Sequence, residues 1–177
     1  LWSIMISDWR QADMETNLND LEGLRIAMDI EGRGYHFYQG AYDRFKEDKV
    51  RAIFKMLRDE EAVHLDTFTH YFEEIGATKE AYETEYLFDP EVSGYLTVLA
   101  EARVFPAKEE AATVLAGIND PKDALELALE AEKNSVLFYD ELSECSKFEQ
   151  ARQVFEKLKK EEQLHVVKIA RQLQQLI

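Results

Sequence analysis

Apolar residues recur every three or four positions along four long stretches of the chain, which is the spacing of an amphipathic helix. The stretches run from Asn19 or Asp20 to about Phe45, from Asp48 to about Ile75, from Pro121 to about Glu144, and from Lys147 to about Leu176. The inner face of the second stretch carries Val50, Ile53, Phe54, Leu57, either Val63 or His64, and Phe68. The pattern therefore predicts four long helices, each with one side facing a core.

Residues 77–119 connect the second and third of these helices and contain proline and glycine residues that mark further helix boundaries. Pro90 follows Asp89 and predicts a helix that continues to about Val104, since proline is favoured at the first helical position. Pro106 predicts a further short helix that ends at Gly117. Because a structureless connection of this length is uncommon in a compact domain, we expect it to be helical as well.

Helix-capping residues mark the ends of the long helices. Asn19 or Asp20 is a good N-cap for the first helix, and Asp120-Pro121 repeats the cap-plus-proline pattern before the third. Gly76 predicts a left-handed residue that ends the second helix. Three glycines within the first helix, Gly32, Gly34 and Gly40, weaken its helical propensity and indicate close packing against a neighbour or a local kink.

The order of short and long connections predicts the fold class. A short link, a long crossover and a second short link describe two helical hairpins, residues 18–76 and 120–177, joined by the crossover 77–119. We therefore expect an all-α protein with a ferritin-like four-helix bundle over residues 18–177. Residues 1–17 show no strong periodicity and are expected to form an N-terminal arm.

The two predicted hairpins are related in sequence. Residues 24–65 align without gaps on residues 125–166, with 12 identities in 42 positions. The identical residues are Leu24, Ala27, Glu31, Phe37, Tyr38, Lys46, Arg51, Phe54, Leu57, Glu60, Glu61 and His64, each with its counterpart 101 positions later. This internal repeat predicts a pseudo-twofold axis that brings both halves together at the centre of the bundle.

Each half of the repeat supplies one lone glutamate and, 30 residues later, a Glu-x-x-His sequence. These residues are Glu31, Glu61 and His64 in the first half, and Glu132, Glu162 and His165 in the second. Residues three positions apart share one face of a helix, so the Glu and His of each pair can both point inward. One Glu from each of two helices and a Glu-x-x-His from each of two others is the ligand set of di-iron and di-manganese carboxylate bundles. We expect two iron ions per chain, with manganese or zinc as alternatives.

The expected roles of the ligand glutamates and of other nearby residues depend on their neighbours in the sequence. Taken alone, Glu31 and Glu132 would be solvated helix charges, but their apolar neighbours favour an inward position. Tyr38 and Tyr139 lie two turns beyond these glutamates and are either aromatic core or catalytic phenols bonded to a ligand carboxylate. Glu60 and Glu161 are expected to be solvated. We expect His36, His70 and Cys145, which do not repeat, to have no part in the site.

Composition and charge restrict the function classes. The chain has 177 residues, with 21 basic and 36 acidic side chains and a formal net charge of −15. Such a surface repels nucleic acid and anionic membranes, and no apolar run approaches the length of a membrane span. The apolar start, Leu1 to Ile6, lacks a basic flank and is not expected to be a signal peptide. With one cysteine and no disulfide partner, the reducing cytoplasm is the expected location.

On these residues the chain resembles the rubrerythrin-like branch of the ferritin-like superfamily, over roughly residues 20–175. The resemblance rests on Glu31, Glu61-Ala62-Val63-His64, Glu132 and Glu162-Gln163-Leu164-His165, with Tyr38 and Tyr139 in matching places. It implies a non-haem di-iron centre that reacts with hydrogen peroxide or O2 in defence against oxidative stress.

Two departures from that family bear on the function. Rubrerythrins carry a rubredoxin-like domain with four cysteines, whereas this sequence has one cysteine and no CxxC pair. Rubrerythrins also place an extra glutamate three residues after the ligand of the third long helix, where this chain has Ser135, and Gly34 occupies the equivalent place in the first half. Glu101, Glu109 or Glu110 of the crossover could supply a replacement carboxylate.

The expected function is therefore that of a di-iron oxidoreductase that reduces peroxide or O2 and receives electrons from an external donor, such as a rubredoxin or a reductase. Three alternatives stay open: a ferroxidase or an iron-binding or storage protein, a di-manganese catalase, and a structural bundle without metal. A homodimer or larger homo-oligomer is expected, because the glycine-bearing first helix and the N-terminal arm offer surfaces for a second copy.

Overall fold

The computed structural model describes residues 18–83, 86–101 and 105–176. Within these ranges the chain forms α-helices and one 3-10 turn, Glu80–Tyr82, and no strand. The helices are α1 (Asp20–Arg44), α2 (Asp48–Gly76), α3 (Pro90–Glu101), α4 (Lys108–Gly117), α5 (Pro121–Cys145) and α6 (Glu149–Gln175). The all-α prediction is confirmed, while the predicted N-terminal arm, residues 1–17, lies outside the described residues.

Two helix starts form as their capping residues predict. Asn19 precedes α1 and its side-chain oxygen accepts a hydrogen bond of 2.9 Å from the backbone N–H of Glu22. Asp120 precedes α5 in the same way and accepts from the N–H of Lys122, with Pro121 as the first helical residue. Each cap satisfies a backbone donor that has no partner inside the helix.

Two details of the crossover differ from the sequence prediction. Gly76 is the last residue of α2 rather than a left-handed cap, because Ala77 keeps a φ of −77° and its N–H bonds to the carbonyl oxygens of Glu73 and Ile75. Pro106 does not open a helix: α4 begins at Lys108, two residues later. The preceding chain instead brings Phe105 into the core, where its side chain is 2% exposed.

The four long helices pair as the connection lengths predict. Residues 45–47 join α1 to α2 and residues 146–148 join α5 to α6, so each pair packs as an antiparallel hairpin. The two hairpins then pack on each other through α2 against α6 and α1 against α5. The result is a helical bundle whose central space is lined by all four long helices.

The crossover covers the bundle rather than extending away from it. Helix α4 packs on α1, and α3 packs on α5. The start of α1 is tied to the crossover by two backbone groups of Leu18, whose carbonyl accepts from the N–H of Phe88 at 2.7 Å and whose N–H donates to Ser93 Oγ at 3.0 Å. The long connection therefore contributes to the same hydrophobic core as the four long helices.

Two of the three glycines predicted to mark close packing do so. A Cβ atom on Gly40 would lie 2.6 Å from Leu115 Cδ1 of α4, and one on Gly34 would lie 3.1 Å from Phe105 Cε2. A Cβ on Gly32 would meet no atom within 4 Å. Gly34 and Gly40 therefore allow the crossover of the same chain to pack closely on α1.

The internal repeat matches the core. Of the twelve identical pairs, nine are buried in both halves: six apolar or aromatic pairs and the three pairs of predicted metal ligands. Identity between the halves is thus concentrated where side chains face the bundle axis. Among the described residues, no helix combines the length and the apolar character needed to cross a bilayer.

Candidate metal centre

The six predicted ligands meet at the centre of the bundle. Each is at most 3% exposed, and each of the four long helices contributes at least one. Helix α1 supplies Glu31, α2 supplies Glu61 and His64, α5 supplies Glu132, and α6 supplies Glu162 and His165. Between Val63 and His64, it is His64 that faces inward, because Val63 is 62% exposed.

The first group of ligand atoms surrounds Nδ1 of His64. This nitrogen lies 3.1 Å from Glu31 Oε2, 3.5 Å from Glu61 Oε2 and 2.8 Å from Glu162 Oε1. One ligand atom from each of these four residues lies within 4.8 Å of the others. Three carboxylate oxygens and one imidazole nitrogen in this arrangement could hold a metal ion.

The second group repeats the first around Nδ1 of His165. This nitrogen lies 3.3 Å from Glu132 Oε1, 3.7 Å from Glu61 Oε1 and 2.8 Å from Glu162 Oε2. Glu61 and Glu162 thus belong to both groups. Each has one carboxylate oxygen near His64 and the other near His165. Carboxylates shared in this way are placed to bridge two cations, whereas Glu31 and Glu132 each serve one group.

Several polar atoms at this centre are buried without a hydrogen-bond partner. They are Glu61 Oε1, Glu132 Oε2, both carboxylate oxygens of Glu162, and Nδ1 of His165. The oxygens of Glu162 lie 2.8 Å from the two Nδ1 atoms, but neither contact has the alignment of a hydrogen bond. Because unpaired buried polar atoms are costly, this donor set fits two cations that would satisfy these atoms together.

Burial and mutual repulsion change the acidity of the glutamates. Burial, followed by the charges of Glu31 and Glu162, raises the pKa of Glu61 well above its ordinary value. Burial and the charge of Glu162 raise the pKa of Glu132 to about 7. Both effects disfavour the ionised form, so the cluster without cations retains protons at neutral pH.

In the two histidines, burial and the neighbouring carboxylates shift the pKa in opposite directions. Burial lowers the pKa of His64, but its contacts with Glu162 and Glu31 outweigh burial and raise the pKa above its ordinary value. The pKa of His165 is raised in the same way by Glu132 and Glu162. Cations that bind here must therefore displace protons, since a ligating imidazole is neutral and a ligating carboxylate is ionised.

Two tyrosines bond to the outer carboxylates across the bundle. The hydroxyl of Tyr38 on α1 donates to Glu132 Oε1 on α5, and the hydroxyl of Tyr139 on α5 donates to Glu31 Oε1 on α1. Burial raises the pKa of both phenols well above the ordinary value, so both remain protonated donors. These are the hydrogen bonds required by their interpretation as phenols bonded to a ligand; a catalytic role stays a prediction.

The prediction that Glu60 and Glu161 are solvated charges is wrong. Glu60 Oε2 on α2 lies 2.9 Å from Nε2 of His165 on α6, and Glu161 Oε2 on α6 lies 3.0 Å from Nε2 of His64 on α2. Their side chains are only 38% and 37% exposed. Sequence reasoning missed them because each contacts the opposite helix, although their recurrence in the repeat is a signal that could have drawn attention to them.

Gly34 and Ser135, at the two places compared with the extra rubrerythrin carboxylate, are both buried. A Cβ on Gly34 would lie 3.3 Å from Glu61 Cδ, so this glycine packs directly on the Glu61 carboxyl group. Ser135 is buried, and its hydroxyl donates to the carbonyl oxygen of Ala131 in its own helix. The suggested replacements, Glu101, Glu109 and Glu110, are exposed and outside both ligand groups.

The remaining candidates lie outside the centre. His70 is 72% exposed beside Glu74, and His36 lies in a surface cavity with Arg33 and Lys108. Cys145 is half-buried, and burial raises the pKa of its thiol to about 12. A thiol that stays protonated is a poor nucleophile and a poor metal ligand, which agrees with an inert Cys145.

Comparisons with protein-family models, with curated proteins and with solved structures give no match to this chain. A proposal about its function therefore depends on the geometry of the buried cluster.

Proposed function

We propose that the chain is a non-haem di-iron oxidoreductase with a ferritin-like four-helix bundle, similar to the rubrerythrin-like branch, that reduces hydrogen peroxide or O2. The observation that carries the proposal is the pair of four-residue ligand groups that share Glu61 and Glu162. A single metal site would need neither the shared carboxylates nor the second histidine.

The proposed ligands divide into terminal and bridging residues. Glu31 and His64 would hold one ion, Glu132 and His165 would hold the other, and the two shared glutamates would bridge them. Four carboxylates balance the charge of two divalent cations, and mixed oxygen and imidazole ligands suit iron or manganese, with zinc as a further alternative. The charge balance also supports two ions rather than one.

Bound as ferrous iron, the pair would supply the two electrons that reduce peroxide or O2. The surrounding residues keep the site rigid and dry. Tyr38 and Tyr139 hold the terminal carboxylates through hydrogen bonds, and fully buried Phe54, Phe68 and Phe155 pack against these two phenols. Such a shell fixes the ligand orientation and excludes bulk water.

The proposed reaction needs a partner, because the electrons that are given to peroxide must be replaced. Reduction of one peroxide to two water molecules consumes two electrons and two protons. We propose an external donor of the rubredoxin or reductase type, a cytoplasmic location and a homodimer or larger homo-oligomer. These three statements remain predictions.

The test starts with protein purified without oxygen and loaded with ferrous iron. We expect two iron ions per chain, and rapid oxidation of the iron, followed by optical absorption, when peroxide or O2 is added. A double variant, Glu61→Ala with Glu162→Ala, should lose the metal, whereas Glu130→Ala, at an exposed carboxylate of α5, should retain it. Protein that binds no metal and gains stability in the double variant would instead be a structural bundle.

Ferrous oxidation without peroxide reduction is the second candidate. It is favoured by Ser135, which stands where rubrerythrins carry an extra glutamate, and by Gly34 at the equivalent place in the first half. The centre therefore has one fewer carboxylate than a rubrerythrin. Iron oxidised by O2 and then released or stored, together with no consumption of peroxide, would favour this alternative. Oxygen release from peroxide by manganese-loaded protein would favour a catalase.

A further inference from the structure

Two carboxylates outside the ligand set contact the far sides of the metal-facing histidines. His165 Nε2 lies 2.9 Å from Glu60 Oε2, and His64 Nε2 lies 3.0 Å from Glu161 Oε2. Each carboxylate belongs to the helix opposite its histidine, so the two pairs cross between α2 and α6. The pseudo-twofold repeat generates both pairs, because Glu60 and Glu161 are equivalent positions.

The two nitrogens of each ring therefore have different surroundings. The contacts of His64 with the ligand carboxylates of Glu31, Glu61 and Glu162 are made through Nδ1, whereas Glu161 meets Nε2. The two rings lie nearly parallel, with an interplanar angle of 17° and centroids 5.4 Å apart. Both Nδ1 atoms thus face the shared carboxylates, and both Nε2 atoms face partly exposed glutamates of the opposite helix.

A neutral imidazole that binds a metal carries its one proton on the other nitrogen. A carboxylate beside Nε2 accepts that proton's hydrogen bond, which fixes the tautomer and the ring orientation and leaves the Nδ1 lone pair free. We propose that Glu60 and Glu161 are positioning residues that hold His165 and His64 in this state for two metal ions. The inference rests on the proposed metal site and adds to it the residues that orient its imidazoles.

The two halves differ in how firmly the carboxylate is held. Lys168 Nζ lies 2.8 Å and 2.9 Å from the two oxygens of Glu60. The equivalent of Lys168 in the first half is Thr67, and Glu161 has Lys157 at 3.9 Å instead. Glu60 is thus fixed by a histidine and a lysine, while Glu161 has a close contact only with its histidine. We therefore expect the loss of Lys168 to weaken one of two bound ions and spare the other.

The test uses Co2+ as a spectroscopic probe in the full chain, because its visible absorption reports the number and type of ligands. Glu60→Ala and Glu161→Ala should each lower the affinity for one of two Co2+ ions by about 10–100-fold, with a changed visible spectrum. Glu60→Gln and Glu161→Gln retain an acceptor oxygen and should recover most of that affinity. Glu156→Ala, at an exposed carboxylate of α6, is the matched control and should bind as the wild type does.

The conservative variants separate positioning from other roles. If the Gln and Ala variants are equally weak, a long-range charge effect is responsible and the proposal is wrong. If the Ala variants melt at a lower temperature but bind Co2+ with unchanged affinity and spectrum, the residues are only structural. A wild-type chain that binds no Co2+ overturns both this inference and the proposed function. Wild-type protein that binds two Co2+ ions but, when iron-loaded, is inert to peroxide and O2 overturns the oxidoreductase proposal alone.

Discussion

Replacing Glu132 by glutamine should stabilise the metal-free protein, and increasingly so as the pH rises. Glu132 is fully buried among Glu162, His165 and the hydroxyl of Tyr38. Burial and the charge of Glu162 raise its pKa to about 7 from an ordinary value of 4.5. Glutamine has nearly the same shape, and its carbonyl oxygen can still accept from Tyr38, but it never ionises.

The size of the effect follows from the difference between the folded and unfolded pKa. Below pH 4.5 the carboxyl is protonated in both states, so its acidity has no effect on stability. As the pH rises from 4.5 to about 7, the unfolded chain loses its proton first, and the folded state becomes progressively less favourable. Above about pH 7 the loss is complete, at about 3 kcal/mol for a shift of this size.

The assay is urea unfolding of wild type and Glu132→Gln with a chelator present, at several pH values between 5 and 8. We expect the variant's advantage to grow by about 2–3 kcal/mol across this range. Glu130→Gln is the control, because the side chain of Glu130 on the same helix is 70% exposed. An advantage that does not change with pH would refute the reasoning, since the expected pH dependence comes from the raised pKa of Glu132.

Adding metal should narrow the stability difference between the two proteins. A cation that binds only the folded protein stabilises it by about 2.7 kcal/mol when present at 100 times its dissociation constant. Wild type should gain this amount with Fe2+ or Mn2+, whereas Glu132→Gln, which lacks a charged terminal ligand, should gain less. Equal gains in the two proteins would show that Glu132 is not a ligand.

Two further pairs of substitutions test the packing around the centre. Gly32→Ala should raise the free energy of unfolding by about 0.5–1 kcal/mol through helix propensity. Gly34→Ala should gain less stability and weaken metal binding, because its Cβ would press on Phe105 and on Glu61. Equal gains in urea unfolding would contradict this expectation. Tyr38→Phe should cost about 1–3 kcal/mol in metal-free protein, because a buried oxygen of Glu132 loses its donor. A thermal melt that matches that of Tyr71→Phe, at a half-buried tyrosine of α2, would argue against that hydrogen bond.

The helices and the ligand set were predictable because they depend on local periodicity. A spacing of three or four residues decides which side chains share a helix face, and the repeat tests each assignment twice. Nine of the twelve identical pairs are buried in both halves, including every predicted ligand. The connection lengths also indicated correctly which helices pair, since short links force neighbouring helices to pack as hairpins.

The errors arose where a residue's partner is distant in sequence. Glu60 and Glu161 looked solvated because they lie one position away from the inward face, yet each reaches a histidine on the opposite helix. The start of α4 was placed too early, because the local preference of Pro106 for a helix start competes with the packing of Phe105 into the core. At the end of α2, Gly76 stays helical and Ala77 forms the cap.

Six helices, an internal duplication and six candidate ligands can be read from the amino-acid order, because all of these depend on spacing within a helix or between the two halves. The sharing of Glu61 and Glu162 between two groups, with Glu31 and Glu132 in one group each, is visible only once the helices are packed together. The packing of the helices also lets Tyr38 and Tyr139 bond across the bundle and brings Glu60 and Glu161 to the outer nitrogens of the histidines. Spacing determines the face of a helix on which a side chain lies, whereas its partners depend on how the helices cross.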